Sequence, residues 1–229
     1  MTTQIALFGG VYSNYLALEA AITDARARGI SDLYCLGDLG AFGPFPDRVF
    51  PILQRHNVQC IQGNYDDSIG NDLDNCQCGY TAERDNYYAN ISYLYTQQHT
   101  SADNKAFLRQ LPRTRIIQVE QTQILLCHGS PRKLNEFLWE STSPDHFLEP
   151  FFSQHAVDVI AVTHTGIKWQ RQLPSGLFVN VGVLGRPEND GTTNVWYTIL
   201  EMSGSKTSVE FVPVEYDYQQ LAQDMQNEQ

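Results

Sequence analysis

Long apolar runs are missing from this chain: none approaches the roughly 20 residues that a membrane-spanning helix needs. The opening residues Met1-Thr2-Thr3-Gln4 lack the basic group that begins a signal peptide and lead directly into an apolar run. Positive charge is scarce, with 15 Lys and Arg against 26 Asp and Glu and a formal net charge of -11. Such a chain repels polyanions at long range, so no nucleic-acid polymer is expected as a partner. A small phosphorylated molecule is still compatible, because a bound metal outweighs the overall sign locally. No internal repeat, low-complexity tract or linker is visible, and 229 residues suffice for one domain, 1–229, with a full core. Hydrophobic content of 42% against 18% charged argues against disorder. These features predict a soluble, cytoplasmic protein with no membrane partner; assembly into a homo-oligomer is left open.

Cysteine is sparse too, at five residues. Cys35, Cys60 and Cys127 fall within apolar strand-like runs, where cysteine acts as a small core residue. Cys76 and Cys78 form a C-x-C in a polar stretch with no second pair at zinc-site spacing, leaving a disulfide or a metal role open for them.

What is present is an alternation of strands and helices. Gln4–Phe8 reads as a buried strand ended by Gly9-Gly10, and Asn14 is placed to cap a helix carrying Leu16, Leu18, Ala21 and Ile22. Strands at Leu33–Leu36 and Val58–Ile61 flank a helix expected at about 47–56. This order, with short loops, predicts an α/β fold with a parallel sheet. Residues 66–112 are polar and then aromatic (Tyr87, Tyr88, Tyr93, Tyr95), ending in a short helix from Ser101 to Leu111; they read as a helical insertion over the sheet edge. Strands follow at 114–119, 123–127, 157–162, 168–172, 177–183, 194–200 and 207–214, with helices near 144–155 and from Asp217.

Polar signatures end several strands: Gly37-Asp38, Gly63-Asn64, His128-Gly129 and His164-Thr165. In an open α/β sheet, ligands bind at the carboxyl ends of the strands. Asp38, Asn64, His128 and His164 arriving there together make a plausible shell for one divalent metal ion such as Mn, Fe or Zn, since carboxylate, amide and imidazole donors suit borderline cations. Taken singly, each has a plainer reading, as a turn residue or a hydrogen-bonded core histidine.

The motif order Gly-Asp-x-x-Gly-x-Gly-Pro (Gly37 to Pro44), Gly-Asn-x-Asp (Gly63 to Asp66), His-Gly (His128, Gly129) and His-Thr (His164, Thr165) resembles the calcineurin-like metallophosphoesterases, most closely their small bacterial phosphodiesterase branch. The likeness spans about 4–190, and Asn180 to Pro187 is similar to that branch's Asn-Pro-Gly-Ser strand end. It implies a four-layer α/β/β/α sandwich and two metals that activate a water for in-line attack on phosphorus. By position Asp38 is the bridging carboxylate, and Asn64, His128 and His164 serve the second metal. The chain departs from the pattern elsewhere. The opening Asp-x-His falls on Gly10 and Tyr12, the histidine of Gly-Asn-His-Asp is Tyr65, and the last histidine of Gly-His-Thr-His is Gly166. The losses segregate to the first metal.

The reading that follows is a metal-dependent phosphoesterase-like hydrolase with a mononuclear site, acting on a small phosphorylated substrate. In it Tyr65 or Tyr12 donates a proton or hydrogen bond, Asp66 or Asp67 serves as base, and Arg186 holds the anion. The alternative is an inactive binding or regulatory protein, in which the two tyrosine rings fill the space left by the first metal. A rebuilt first site using Tyr12 with Asp66 or Asp67 is a third arrangement.

Overall fold

The computed structural model describes residues 2–204 and 206–228. Strand β1 (Thr2–Phe8) leads to helix α1 (Tyr15–Ala27), β2 (Asp32–Cys35), a 3-10 turn at Pro46–Arg48, α2 (Val49–Arg55) and β3 (Gln59–Cys60). Three helices follow: α3 (Asn64–Gly70), α4 (Glu83–His99) and α5 (Ala102–Gln110). Then come β4 (Thr114–Val119), β5 (Thr122–Cys127), α6 (Asp145–His155), β6 (Val159–Val162), β7 (Lys168–Leu173) and β8 (Gly176–Val181). The hairpin β9 (Val195–Ser203) and β10 (Lys206–Val214) precedes α7 (Tyr218–Asn227).

Two five-stranded mixed sheets result, in the orders β10-β9-β1-β2-β3 and β4-β5-β6-β8-β7. In each, three adjacent strands are parallel, β1-β2-β3 and β5-β6-β8, and the flanking pairings are antiparallel.

Strand alternation sorts the core into layers, because successive side chains point to opposite faces. Ile5 and Leu7 of β1 face Ile124 and Leu126 of β5 and Val159 and Ala161 of β6 in a core shared by the two sheets. Ala6 and Phe8 point the other way, against Leu18, Ala21 and Ile22 of α1. Leu125, Cys127, Ile160 and Val162 pack outward on Leu148, Phe151 and Phe152 of α6. Three apolar cores therefore separate four layers, helix–sheet–sheet–helix.

The structure departs from the sequence expectation in places. The helix expected at 47–56 begins instead as a 3-10 turn, since Phe45 takes a left-handed conformation (φ 51°) and Pro46 restarts the chain. The insertion lies within the α1 layer: Tyr65, Ile69, Tyr93 and Leu108 share one core with Leu18 and Phe8. Within the aromatic run of α4, Tyr93 is fully buried and its hydroxyl donates to the carbonyls of Ser68 and Leu73, while Tyr87 and Tyr88 are exposed. Cys76 and Cys78 are joined as a disulfide, and Cys35, Cys60 and Cys127 are free and buried.

Asn14 caps α1 as expected, accepting from Ala17 N at 3.0 Å, and its amide also donates to Gly185 O at 3.2 Å. Asn14→Ala removes both bonds at a buried position, so a loss of about 1–2 kcal/mol is expected in urea denaturation; an unchanged midpoint would show that the cap contributes nothing.

Candidate metal centre

The parallel strands of both sheets carry their polar loops to one edge. Asp38 follows β2, Asn64 opens α3 after β3, His128 follows β5 and His164 follows β6. All four are buried, with relative exposures of 2%, 3%, 1% and 8%. His128 Nε2 lies 3.2 Å from Asp38 Oδ2, 3.1 Å from Asn64 Oδ1 and 3.2 Å from His164 Nδ1. The four residues singled out in the sequence are thus brought to a single point.

Hydrogen bonds behind them fix which atoms face inward. His128 Nδ1 lies 2.7 Å from Leu36 O; a carbonyl only accepts, so Nδ1 carries the proton and Nε2 is turned to the cluster. Asn64 Nδ2 donates to Cys76 O at 2.8 Å and toward Cys78 Sγ at 3.7 Å, which turns its Oδ1 inward. Asp38 Oδ1 accepts from Tyr65 N at 3.0 Å, leaving Oδ2 for the cluster.

Four lone-pair donors facing one point repel each other unless a metal ion, or a proton on His128 Nε2, sits among them. Ligands bonded to one ion at about 2.1 Å stand about 3.0 Å apart in an octahedron and about 3.4 Å apart in a tetrahedron. The observed 3.1–3.2 Å separations fall in that range, and the ligand atoms of Asp38, His128 and His164 all lie within 4.8 Å of one another. The residues present therefore fit one divalent ion.

Asp38 and His128 stabilise each other's charged forms. Burial alone would raise the Asp38 carboxyl, but the adjoining His128 imidazole more than offsets this and holds it below its ordinary value. Burial opposes charge on His128 as well, and Asp38 beside it raises the imidazole overall. Burial, then repulsion from His128, pushes His164 down to about 3, so it is a neutral ligand at ordinary pH.

The loops are held tightly. Asp66 Oδ2 accepts from Asp38 N at 2.8 Å and from Gly63 N at 2.8 Å, and its Oδ1 accepts from Leu39 N at 2.9 Å. Burial, then the Asp38 charge, raises this carboxyl to about 6. The suggestion that Asp66 acts as base is thereby corrected: its oxygens are committed to the backbone that aims Asp38. Asp67 is likewise engaged, by Asn71 and Arg113. Gly63 must be glycine because a Cβ there would collide with Asp38, and Asp38 itself has a left-handed backbone (φ 56°).

The residues expected to assist in catalysis are placed differently from one another. Tyr12 and Arg186 line a pocket of about 410 Å³ that opens beside His164. Tyr65 does not: its ring packs on Phe42 and Tyr93, and its hydroxyl donates to Ala89 O of α4 at 3.2 Å. The Tyr12 ring lies directly over Gly10, where an added Cβ would come 2.7 Å from Tyr12 Cζ. The place of the missing carboxylate is thus filled by the tyrosine two residues on. Burial, and then the charge of Asp38, raises the Tyr12 hydroxyl well above its ordinary value.

Asn180, which opens the strand end singled out in the sequence, is fully buried, donates to Thr163 O at 3.0 Å and Thr165 Oγ1 at 2.5 Å, and accepts from Gly182 N at 3.0 Å, so it shapes the His164 loop. One feature escaped the sequence reading. Phe137 and Trp139, in an irregular loop with no period to betray them, line the pocket next to His164. Asp66→Ala leaves three buried backbone N–H groups without their acceptor; a loss of about 2–4 kcal/mol is expected in thermal or urea unfolding, and a change below about 0.5 kcal/mol would contradict the clamp.

Comparison with known proteins agrees with this architecture. Residues 4–204 match the family model for the calcineurin-like phosphoesterase superfamily domain. An uncharacterized protein of Methanocaldococcus jannaschii is 26% identical over 230 residues, covering 94% of this chain and 88% of that protein. A hypothetical protein of Pyrococcus horikoshii superposes with a TM-score of 0.82 at 20% identity, over 99% of this chain and 93% of the other. A metallophosphoesterase from Sphaerobacter thermophilus does so with a TM-score of 0.72 at 23% identity, over 100% of this chain and 94% of the other. With the fold, the strand-end donors and the family match in agreement, the chain belongs to the calcineurin-like phosphoesterase superfamily.

Proposed function

We propose that this protein is a metal-dependent phosphoesterase-like hydrolase with a mononuclear site, acting on a small phosphorylated substrate. The observation that carries this reading is the convergence of Asp38 Oδ2, Asn64 Oδ1, His164 Nδ1 and His128 Nε2 beside a filled neighbouring seat, with the Tyr12 ring over Gly10. A divalent ion held there supplies Lewis-acid polarisation of a phosphoryl oxygen and activation of a water.

The chain's own residues supply the rest. Arg186 lies on the pocket and is exposed, and among the described residues no carboxylate pairs with it; its guanidinium carbon sits 4.6 Å from the Phe42 ring centroid. It is the group available to hold a phosphate anion in a chain of net charge -11. The neutral Tyr12 hydroxyl serves as a hydrogen-bond donor at that pocket. Tyr65, bonded to α4, is assigned to packing. Among the described residues no helix is long and apolar enough to cross a membrane.

Elemental analysis of chelator-free protein should find about one equivalent of metal per chain. With added Mn, hydrolysis of bis-p-nitrophenyl phosphate is expected, and both His128→Ala and Asp38→Ala should lower it at least a hundredfold. Two equivalents would restore a binuclear site, and bound metal without turnover of any phosphoester would point to the binding protein instead.

A further inference from the structure

The pocket beside His164 is built from rings. Phe137 lies 4.3 Å from the His164 ring, centroid to centroid, and Trp139 stacks on Phe137 at 5.6 Å with only 12° between planes. The three rings form a ladder running outward from the metal centre. Its outer rung, Trp139, is 38% exposed.

That ladder is held in place rather than left loose. Leu138, between the two aromatics, is buried, and its carbonyl accepts from Trp169 Nε1 at 3.1 Å. Just beyond, Arg171 Nη2 donates to Glu140 O at 2.7 Å and Nη1 to Ser143 O at 2.5 Å. Burying Leu138 turns Phe137 and Trp139 to the same side. A rigid loop presenting a large ring to solvent gains nothing for the fold, since exposed aromatic surface opposes it.

One further observation at the same pocket points to an anion. Arg186 lines the pocket and, among the described residues, makes no ion pair, while Asp85 is the one carboxylate lining the same pocket. The volume of about 410 Å³ suits one small ligand, and the net charge of -11 disfavours a polymer.

We infer that Phe137 and Trp139 form a stacking subsite for a planar ring carried by the phosphoester, with Arg186 on its phosphate. The substrate class is then a mononucleotide-sized ester bearing a nucleobase or simple aryl group, in preference to sugar or alkyl phosphates. This rests on the phosphoesterase reading above.

The test is calorimetric binding to the full chain, with and without Mn. The probes are adenosine monophosphate and phenylphosphonate, which carry rings, and ribose 5-phosphate and methylphosphonate, which do not. The ringed probes should bind about tenfold tighter, the size of one stacked ring. Trp139→Ala should abolish that preference, Trp139→Phe should keep most of it, and Arg186→Gln should weaken ringed and ringless probes alike. Adenosine monophosphate above phenylphosphonate assigns a nucleobase, and the reverse assigns a simple aryl ester. Equal binding of ringed and ringless probes, or a preference that survives in a folded Trp139→Ala, overturns the subsite. Hydrolysis of bis-p-nitrophenyl phosphate, scored beside that binding preference, separates the two readings. No turnover with the binding preference intact removes the hydrolase and leaves the subsite, while turnover without preference does the opposite.

Discussion

Four inward-facing donor atoms, which repel one another unless a metal ion or a proton is shared among them, are the constraint on which this structure turns. Asp38, Asn64 and His164 are buried with a polar atom 3.1–3.2 Å from His128 Nε2, an arrangement that gains nothing from packing. Three of the four residues are braced from behind so that they cannot turn away: His128 by Leu36 O, Asn64 by Cys76 O, Asp38 by Tyr65 N. The two-sheet fold is what makes this possible. Its parallel strands end at one edge, so residues more than a hundred positions apart in sequence, such as Asp38 and His164, deliver side chains to the same place.

The site is lopsided, and the lopsidedness has a physical cause. A glycine at position 10 gives no ligand, and the ring of Tyr12 occupies the space over it. Tyr12 is only 9% exposed and makes an edge contact with Phe42, so it is part of the packing as well as a wall of the pocket. Gly10 and the buried phenol of Tyr12 place no charge on that side of the pocket.

Much of this was legible in the sequence. Apolar strands ending in Gly-Asp, Gly-Asn, His-Gly and His-Thr announced both the layered α/β architecture and the four donors, because strand ends in such folds converge. Other residues could not be read. Asp66 looked like a base since a motif shows which residue is present but not which backbone N–H groups it accepts. Tyr65 looked catalytic by position, yet α4, distant in sequence, takes its hydroxyl. The stacked pair Phe137 and Trp139 sits in a loop without periodicity, held by Trp169 and Arg171 from another strand. The C-x-C pair closes as a disulfide against Asn64, a contact that spacing alone does not reveal.

The most direct measurement is an anomalous-difference map from crystals grown with Mn, collected above its absorption edge. The account predicts one peak, about 2.1–2.3 Å from Asp38 Oδ2, Asn64 Oδ1, His128 Nε2 and His164 Nδ1, and no density of metal strength beside Tyr12. A second peak over Gly10, or none among the four donors, would contradict it.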